Sequence, residues 1–242
     1  MVVWDIAGER QVAKVQWLKD KGFDTGVVGA TSPDGTRLCF VAPNRLTAWT
    51  LEPLSEIATL PKSSEAPSLR TLCFANDGES VAVANVDSTV ELWNLKRKEH
   101  AGPWRAHQER IAGMAFTPDG QGLLTASHDT TIKLWDIRTQ KELRRFGRSR
   151  NACELVAVSP DGTRVAGSED SDPNIRIWDA LSGQELAVLK SPSAAGVDYL
   201  AFTADGNTLV SGNSEEVRLW QAPSCEEIKK AEAKRQTAAG DR

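Results

Sequence analysis

The chain has 242 residues, of which 40% are hydrophobic and 26% are charged, a balance that is ordinary for a globular protein with a sizeable core. Its formal net charge is −4 with both signs interspersed, which argues against a general nucleic-acid surface or a polybasic membrane anchor. The first residues carry charge too early for a signal peptide, and no window is apolar over the length that a membrane span needs. We therefore expect a cytoplasmic protein.

The chain opens with two predicted strands, within residues 1–6 and 10–18, which we interpret as a partial unit. Five fuller units follow, at about residues 26–60, 69–104, 109–147, 153–189 and 197–230. The last residues are polar without apolar periodicity, as is common for flexible termini. The sequence thus predicts one all-β domain over residues 1–230 and a flexible polar tail over 231–242.

The third unit shows the strand pattern most clearly. Short apolar runs between turn signals, too short for helices, predict strands at residues 111–117, 123–127, 132–135 and 142–146. Between the first two, Thr117-Pro118-Asp119-Gly120 predicts a tight turn, because Pro fixes a negative φ and Asp followed by Gly tolerates a positive one. Four strands joined in this way form one antiparallel sheet.

Two landmarks recur at a nearly constant interval. Asp-Gly pairs are spaced by 43, 42, 42 and 44 residues, and they begin at Asp34, Asp77, Asp119, Asp161 and Asp205. Tryptophans near the end of each third strand are spaced by 45, 44, 42, 43 and 42 residues, at Trp4, Trp49, Trp93, Trp135, Trp178 and Trp220. A period of about 40–45 residues built from strands is typical of a β-propeller blade.

The segment LTASHDTTIKLWD of the third unit resembles the WD-repeat β-propeller family almost position by position. The resemblance implies five complete four-stranded blades plus an N-terminal two-strand partial blade. It also implies a structural hydrogen-bond network, whose members are His107, Ser127, Asp129 and Trp135. The other units lack the histidine and have instead Gly22, Glu65, Ser149 and Ser193. We expect their networks to be incomplete, so that packing contributes more there.

The two ends of the chain do not supply complementary strands for one closing blade. Either five blades close a small ring with the N-terminal hairpin outside it, or the chain is the last portion of a longer propeller. We favour the longer propeller, since an open blade leaves apolar surface exposed, and self-association through open blade edges would follow. The SPDG-type turns resemble those of propellers in large bacterial proteins, which suggests the C-terminal part of a bacterial regulatory protein.

Two sets of residues have alternative interpretations. His107, Ser127 and Asp129 are the residue types of a hydrolase triad, but no G-x-S-x-G motif is present, and the structural network is favoured. A basic run could bind a phosphate or an acidic peptide, or it could be a solvated outer strand; its residues are Arg144, Arg145, Arg148 and Arg150.

The remaining candidates have simpler explanations. Trp17 and Trp104 lie outside the repeat register, and each could be a partner anchor, although packing in an outer strand is favoured. His100 and His128 are expected to be polar loop residues. The four cysteines have no metal-ligand spacing, so we expect no metal and no cofactor, and a reducing compartment.

These observations predict a non-catalytic scaffold that binds another protein or peptide through the loops at the two faces of the propeller. We expect neither nucleic acid nor membrane as a partner. The alternative is an enzyme whose active site lies at the propeller channel. That alternative requires several His, Asp, Glu or Arg side chains converging on one face, and no such cluster recurs at the loop positions.

Overall fold

A computed structural model describes residues 2–5, 10–14, 28–42, 45–51, 53–61, 69–147, 150–191 and 195–221. Their regular structure consists of strands only, in agreement with the predicted all-β class. The strands are β1 Val2–Asp5, β2 Arg10–Lys14, β3 Val28–Thr31, β4 Arg37–Ala42, β5 Arg45–Leu51, β6 Leu54–Pro61, β7 Leu69–Phe74, β8 Ser80–Asn85, β9 Thr89–Asn94, β10 Glu99–Arg105, β11 Ile111–Phe116, β12 Gly122–Ser127, β13 Ile132–Asp136, β14 Lys141–Phe146, β15 Cys153–Val158, β16 Arg164–Glu169, β17 Ile175–Asp179, β18 Glu185–Leu189, β19 Tyr199–Phe202, β20 Thr208–Gly212 and β21 Val217–Gln221.

The strands form consecutive antiparallel sheets. The pair β1–β2 is a hairpin, and β3–β6, β7–β10, β11–β14 and β15–β18 are four-stranded sheets that we name blades 1 to 4. Blade 5 comprises β19–β21, and its predicted fourth strand, at about residues 222–230, lies outside the described residues. The predicted architecture of antiparallel blades is confirmed.

Adjacent blades pack face to face in chain order. The first strands β3, β7, β11, β15 and β19 contact one another successively, and apolar side chains fill the space between the sheets. Between blades 3 and 4, for example, Leu124 and Ile132 form a core cluster with Cys153, Val165 and Trp178. Within the described part of the chain, no comparable packing joins β19 to β3.

The Asp-Gly turns have the conformation that the sequence predicts. In blade 3, Gly120 has φ = 68°, and its N–H donates to the carbonyl of Thr117 at 2.8 Å. The Thr117 hydroxyl donates to Asp119 Oδ1 at 2.6 Å and accepts from the N–H of Gly122 at 2.8 Å. The bond from Thr117 is the largest cause of the lowered pKa of Asp119. The turn thus satisfies its own polar groups while connecting β11 to β12.

Candidate functional site

The predicted network in blade 3 is a chain of hydrogen bonds between β13 and the loop before β11. Trp135 Nε1 donates to Thr125 Oγ1 at 2.9 Å, and Thr125 Oγ1 lies 2.7 Å from His107 Nε2. His107 Nδ1 lies 2.8 Å from Asp129 Oδ2, and the other carboxylate oxygen accepts from the Thr131 hydroxyl. Five side chains from four segments, namely β12, β13, the corner between them and the loop before β11, are therefore joined in one network.

One assignment of donors and acceptors fits every hydrogen bond from Trp135 to Asp129. Because Trp135 can only donate, Thr125 accepts from it and donates to Nε2 of a neutral His107, whose Nδ1–H then donates to Asp129. Burial lowers the pKa of His107 and outweighs the opposing effect of Asp129, in agreement with a neutral ring. Burial raises the pKa of Asp129, but the hydrogen bonds from His107 and Thr131 hold it well below its usual range.

The predicted member Ser127 occupies a different place from the one expected. Its hydroxyl donates to the carbonyl of Glu109 at 3.0 Å and accepts from the N–H of Asp129 at 3.1 Å. The hydroxyl that joins the indole to the imidazole belongs to Thr125, which the sequence analysis did not single out. Ser127 therefore orders the backbone around the network, and Thr125 replaces it as the bridging residue.

The arrangement Asp129–His107–Thr125 has the connectivity of a catalytic triad but not its access to substrate. His107 is 2% exposed and Thr125 is 0% exposed. The Thr125 oxygen already accepts a hydrogen bond from the Trp135 indole at 2.9 Å. A nucleophile must reach its substrate, so the geometry supports a structural role for these residues.

The position of Thr125 is defined by strand register and differs from blade to blade. It lies two residues after Leu123, which pairs with Trp135. In blade 5 the equivalent residue is Ser211, which accepts from Trp220 Nε1 at 2.8 Å. In blades 2 and 4 the equivalents are Val83 and Gly167, and the indole nitrogens of Trp93 and Trp178 are buried with no hydrogen-bond partner.

The described arginines of the predicted basic patch have different surroundings. Arg144 donates to the carbonyl of Ser182 in blade 4 at 2.9 Å, while Arg145 makes two bonds of 3.1 Å to Glu142 on its own strand. Arg150 lines a cavity between blades 3 and 4. Arg148 lies outside the described residues.

A second polar cluster, which sequence reasoning missed, joins blades 3 and 4 at the start of their first strands. His128 Nε2 lies 2.6 Å from Glu154 Oε1 and 2.8 Å from Arg110 Nη2, and Arg110 lies 3.2 Å from Glu154. Each of the three side chains is about one third exposed, as the values 31%, 27% and 38% for His128, Glu154 and Arg110 show. His128 is thus not an isolated loop residue. Its partners are 18 and 26 residues away in sequence, so a local sequence pattern does not reveal them.

The other aromatic candidates are accounted for by packing. Trp104 on β10 is 9% exposed and meets Trp135 edge to face at 6.4 Å. His100 stacks on Trp93 with ring centroids 4.8 Å apart. Trp17 lies outside the described residues. Trp104 is therefore part of the core between blades 2 and 3, as the favoured interpretation has it.

The described residues contain no group of three or more His, Cys, Asp or Glu side chains that could hold a metal ion. Cys39 and Cys153 are buried, Cys73 is partly exposed, and all three are free thiols. No helix in this part of the chain is long and apolar enough to cross a membrane.

The family model for the WD domain, G-beta repeat, matches residues 55–94, 99–136 and 145–179. These three segments are similar to WD repeats. No curated protein matches the chain. Proteins with WD repeats are generally non-catalytic scaffolds for protein interactions.

The three matched segments, each similar to one WD repeat, do not coincide with the blades. The repeat at residues 99–136 begins with β10, the outer strand of blade 2, and ends with β13, the third strand of blade 3. Each repeat therefore spans two adjacent sheets, and the loop between them carries His107 in this case. The backbone of each segment therefore connects two blades that also pack against each other.

The residue after the tryptophan has the same role in all three matched segments. Asp136 Oδ1 accepts from the N–H of Thr139 at 2.7 Å, and Asp179 Oδ1 accepts from the N–H of Ser182 at 2.6 Å. Asn94 does the same for Arg97 at 2.8 Å. An acceptor at this position caps the turn into the outer strand, whereas blades 1 and 5 have Thr50 and Gln221 there and lie largely outside the matched segments.

Proposed function

We propose that the chain is a non-catalytic scaffold that binds other polypeptides. One binding surface is the outward face of blade 5, where the first partner is a second copy of the chain. This proposal depends on one observation, the exposure of Val217 on blade 5 at a register position that is buried in blades 1 to 4.

The observation concerns one register position on the third strand of each blade. In blades 1 to 4 the residue at this position packs against the next blade and is 0–1% exposed; the four residues are Leu46, Val90, Ile132 and Ile175. Val217 has the same position in blade 5 and is 72% exposed. Along the same face, Leu219 is 65% exposed and Tyr199 is 58% exposed.

The composition of this face favours a second copy as the occupant. Strand pairing places two rows side by side on it, and their residues are Tyr199, Gly212, Val217, Ala201, Val210 and Leu219. None of the six carries a charge, so two such faces can meet about a twofold axis without electrostatic repulsion. Every other blade of the chain already packs such a face against a sheet. An exposed apolar patch of this kind is typical of an interaction site.

The experiment is a measurement of molar mass by light scattering over a range of protein concentrations. We expect the wild type to form dimers and Val217→Lys/Leu219→Lys to be monomeric with an unchanged circular dichroism spectrum. Leu181→Lys/Leu186→Lys is the matched control, since these leucines are 83% and 54% exposed but lie in blade 4. A wild type that stays monomeric at about 100 μM, or equal effects of the two double variants, would contradict self-association through this face.

Two narrower proposals rest on the sequence. Arg144, Arg145, Arg148 and Arg150 stay a predicted patch for a phosphate or an acidic peptide, which binding of a phosphopeptide compared with its unphosphorylated form tests. The SPDG turns that begin at Ser32 and Ser159 support a role as the C-terminal part of a larger bacterial regulatory protein. That role predicts further coding sequence in frame upstream of Met1.

A further inference from the structure

The polar cluster that connects blades 3 and 4 has three members. Arg110 directly precedes β11 and His128 directly follows β12, both in blade 3, while Glu154 lies on β15 in blade 4. Glu154 Oε1 lies 2.6 Å from His128 Nε2 and 3.2 Å from Arg110 Nη2, and these two nitrogens lie 2.8 Å apart. Each side chain is partly exposed, so protons from the solvent can reach the cluster.

The backbones of the two blades are held close together beside this cluster. The His128 N–H donates to the carbonyl of Arg110 at 2.9 Å, which fixes the corner of blade 3 to the start of β11. A Cβ at Gly113 would lie 2.7 Å from the carbonyl oxygen of Glu154, so β11 and β15 approach more closely there than a side chain would allow. A change of charge in the cluster is therefore accommodated by rotation of side chains and not by separation of the strands.

The three contacts of the cluster cannot all be favourable at once. A histidine nitrogen either carries a proton and donates or has a lone pair and accepts, whereas arginine only donates and an ionised carboxylate only accepts. His128 Nε2 is within hydrogen-bond distance of both Arg110 and Glu154. The contact with the carboxylate is the shorter, so the proton is assigned to Nε2. Glu154 thus holds two donors that repel each other.

Arg110 is the more weakly held of these two donors. Its contacts with the Glu154 carboxylate are 3.2 and 3.4 Å long, whereas that of His128 is 2.6 Å long. The Arg110 Nε–H is buried without a hydrogen-bond partner, which costs free energy that rotation into water would recover. Its side chain is also the most exposed of the three. Added repulsion in the cluster therefore displaces Arg110 before His128.

We infer that this cluster is a pH-sensitive switch, in which protonation of His128 releases Arg110 from Glu154. A protonated His128 places a second full positive charge 2.8 Å from the Arg110 guanidinium, and one carboxylate cannot neutralise both. His128 keeps the carboxylate, and Arg110 turns into the solvent. Histidine is the side chain whose charge changes between about pH 5 and 8. The scaffold therefore presents a free guanidinium at the border of blades 3 and 4 only when His128 is charged.

Other charged groups surround the cluster but do not replace its members. The elements next to His128 carry four further carboxylates, which belong to Glu109, Asp129, Glu169 and Asp170. Asp129 is bound by His107 at 2.8 Å, and Glu169 accepts from Arg176 at 2.9 Å. Glu109 and Asp170 are exposed. Carboxylates change charge near pH 4, below the range of histidine, so the proton that operates the switch is taken up by His128.

The experiment follows both cations in the ¹³C,¹⁵N-labelled protein from about pH 8 to about pH 5.5, where histidine changes charge and carboxylates stay ionised. Long-range ¹H–¹⁵N spectra report the protonation of each imidazole, and Nε–Cζ correlations report the surroundings of each guanidinium. The signals are assigned from their loss in Arg110→Lys and His128→Gln. Glu154→Gln removes the carboxylate and gives the position of the Arg110 signal when its side chain is released.

His100→Gln is the matched control for His128→Gln. His100 is also an exposed histidine, but it lies in blade 2, where it stacks on Trp93. The same change of residue type at the two positions therefore separates the effect of the cluster from the loss of any one histidine.

We expect the Arg110 signal of the wild type to move, as the pH falls, most of the way to its position in Glu154→Gln, together with the protonation of His128. The movement should be absent in His128→Gln and unchanged in His100→Gln. An Arg110 signal that stays in place while His128 is protonated, or a His128 that stays neutral throughout, would overturn the inference. A movement that persists in His128→Gln, or one that is lost equally in His100→Gln, would overturn it as well. The wild-type titration decides the matter by itself if a variant does not fold.

Discussion

Trp220 Nε1 donates to Ser211 Oγ at 2.8 Å, at the register position where Trp135 donates to Thr125 in blade 3. The two hydroxyls lie 9 and 10 residues before their tryptophans, and the difference arises in the corner between the second and third strands. Pairing across the strands, and not distance along the chain, therefore decides which hydroxyl meets the indole.

Thr125→Val should destabilise the protein more than Ser127→Ala. Valine has the shape of threonine but leaves both Trp135 Nε1 and His107 Nε2 without a partner, and each orphaned buried group costs about 1–3 kcal/mol, so we expect a loss of about 2–4 kcal/mol. Ser127→Ala removes two bonds to backbone groups and should cost about 1 kcal/mol. Urea denaturation measures both free energies of unfolding.

Trp135→Phe is the control for this comparison, since it removes the indole donor together with its need for an acceptor. In the Trp135→Phe background, Thr125→Val should lower the free energy of unfolding by less, because only His107 Nε2 then lacks a hydrogen-bond partner. If Ser127→Ala proves the more costly of the two single changes, Thr125 is not the bridging residue.

Thr125 illustrates which parts of the network could be predicted from the sequence and which could not. Asp-Gly turns and tryptophans mark each blade locally, so the number and order of the sheets could be predicted. Thr125 and Ser127 lie two residues apart on β12 and face the same side, and only the pairing of Leu123 with Trp135 shows which one reaches the indole. The sequence indicated that an open blade exposes apolar surface, but it could not show that this surface includes Val217, since the strand of Val217 has the same apolar pattern as that of Ile132.

The three described thiols should be inert in the native protein. Burial raises the pKa of Cys39, Cys73 and Cys153 to about 12 each, so the reactive thiolate is scarce at pH 8. In a Cys225→Ser background, which removes the cysteine outside the described residues, Ellman's reagent should find no fast-reacting thiol. Unfolding in guanidinium should then make three thiols reactive. A fast reaction of any of these thiols in the native protein would contradict the burial of its strand.

Ile132→Val and Gly167→Thr should each lower the free energy of unfolding. The double variant should lose less than the sum of the two single losses. Gly167→Thr alone forces a collision with Ile132, for which overpacking costs about 1–3 kcal/mol. Ile132→Val alone leaves a small void, at about 0.5–1.5 kcal/mol. The pair copies Val90 and Thr125 of the preceding junction and gives Trp178 an acceptor. A double-mutant cycle should yield a favourable coupling of about 1–3 kcal/mol, and simple additivity would show that the register equivalence is mistaken.

Lowering the pH from 7.5 to 5 should destabilise the wild type more than His107→Gln. The unfolded chain has an ordinary histidine with a pKa of 6.5, whereas burial lowers the pKa of His107 in the native state. Between these two values the unfolded state binds more protons, so the contribution of His107 is fully present above pH 6.5 and is lost as the pH falls towards the native pKa. The added slope is at most about 1.4 kcal/mol per pH unit, measured by urea denaturation at each pH. Groups that the substitution leaves in place are common to both proteins, so the comparison isolates the contribution of His107. The contrary outcome is that the stability of the wild type relative to His107→Gln stays level or rises as the pH falls. His107 would then be charged in the folded state, and the assignment of donors and acceptors from Trp135 to Asp129 would be wrong.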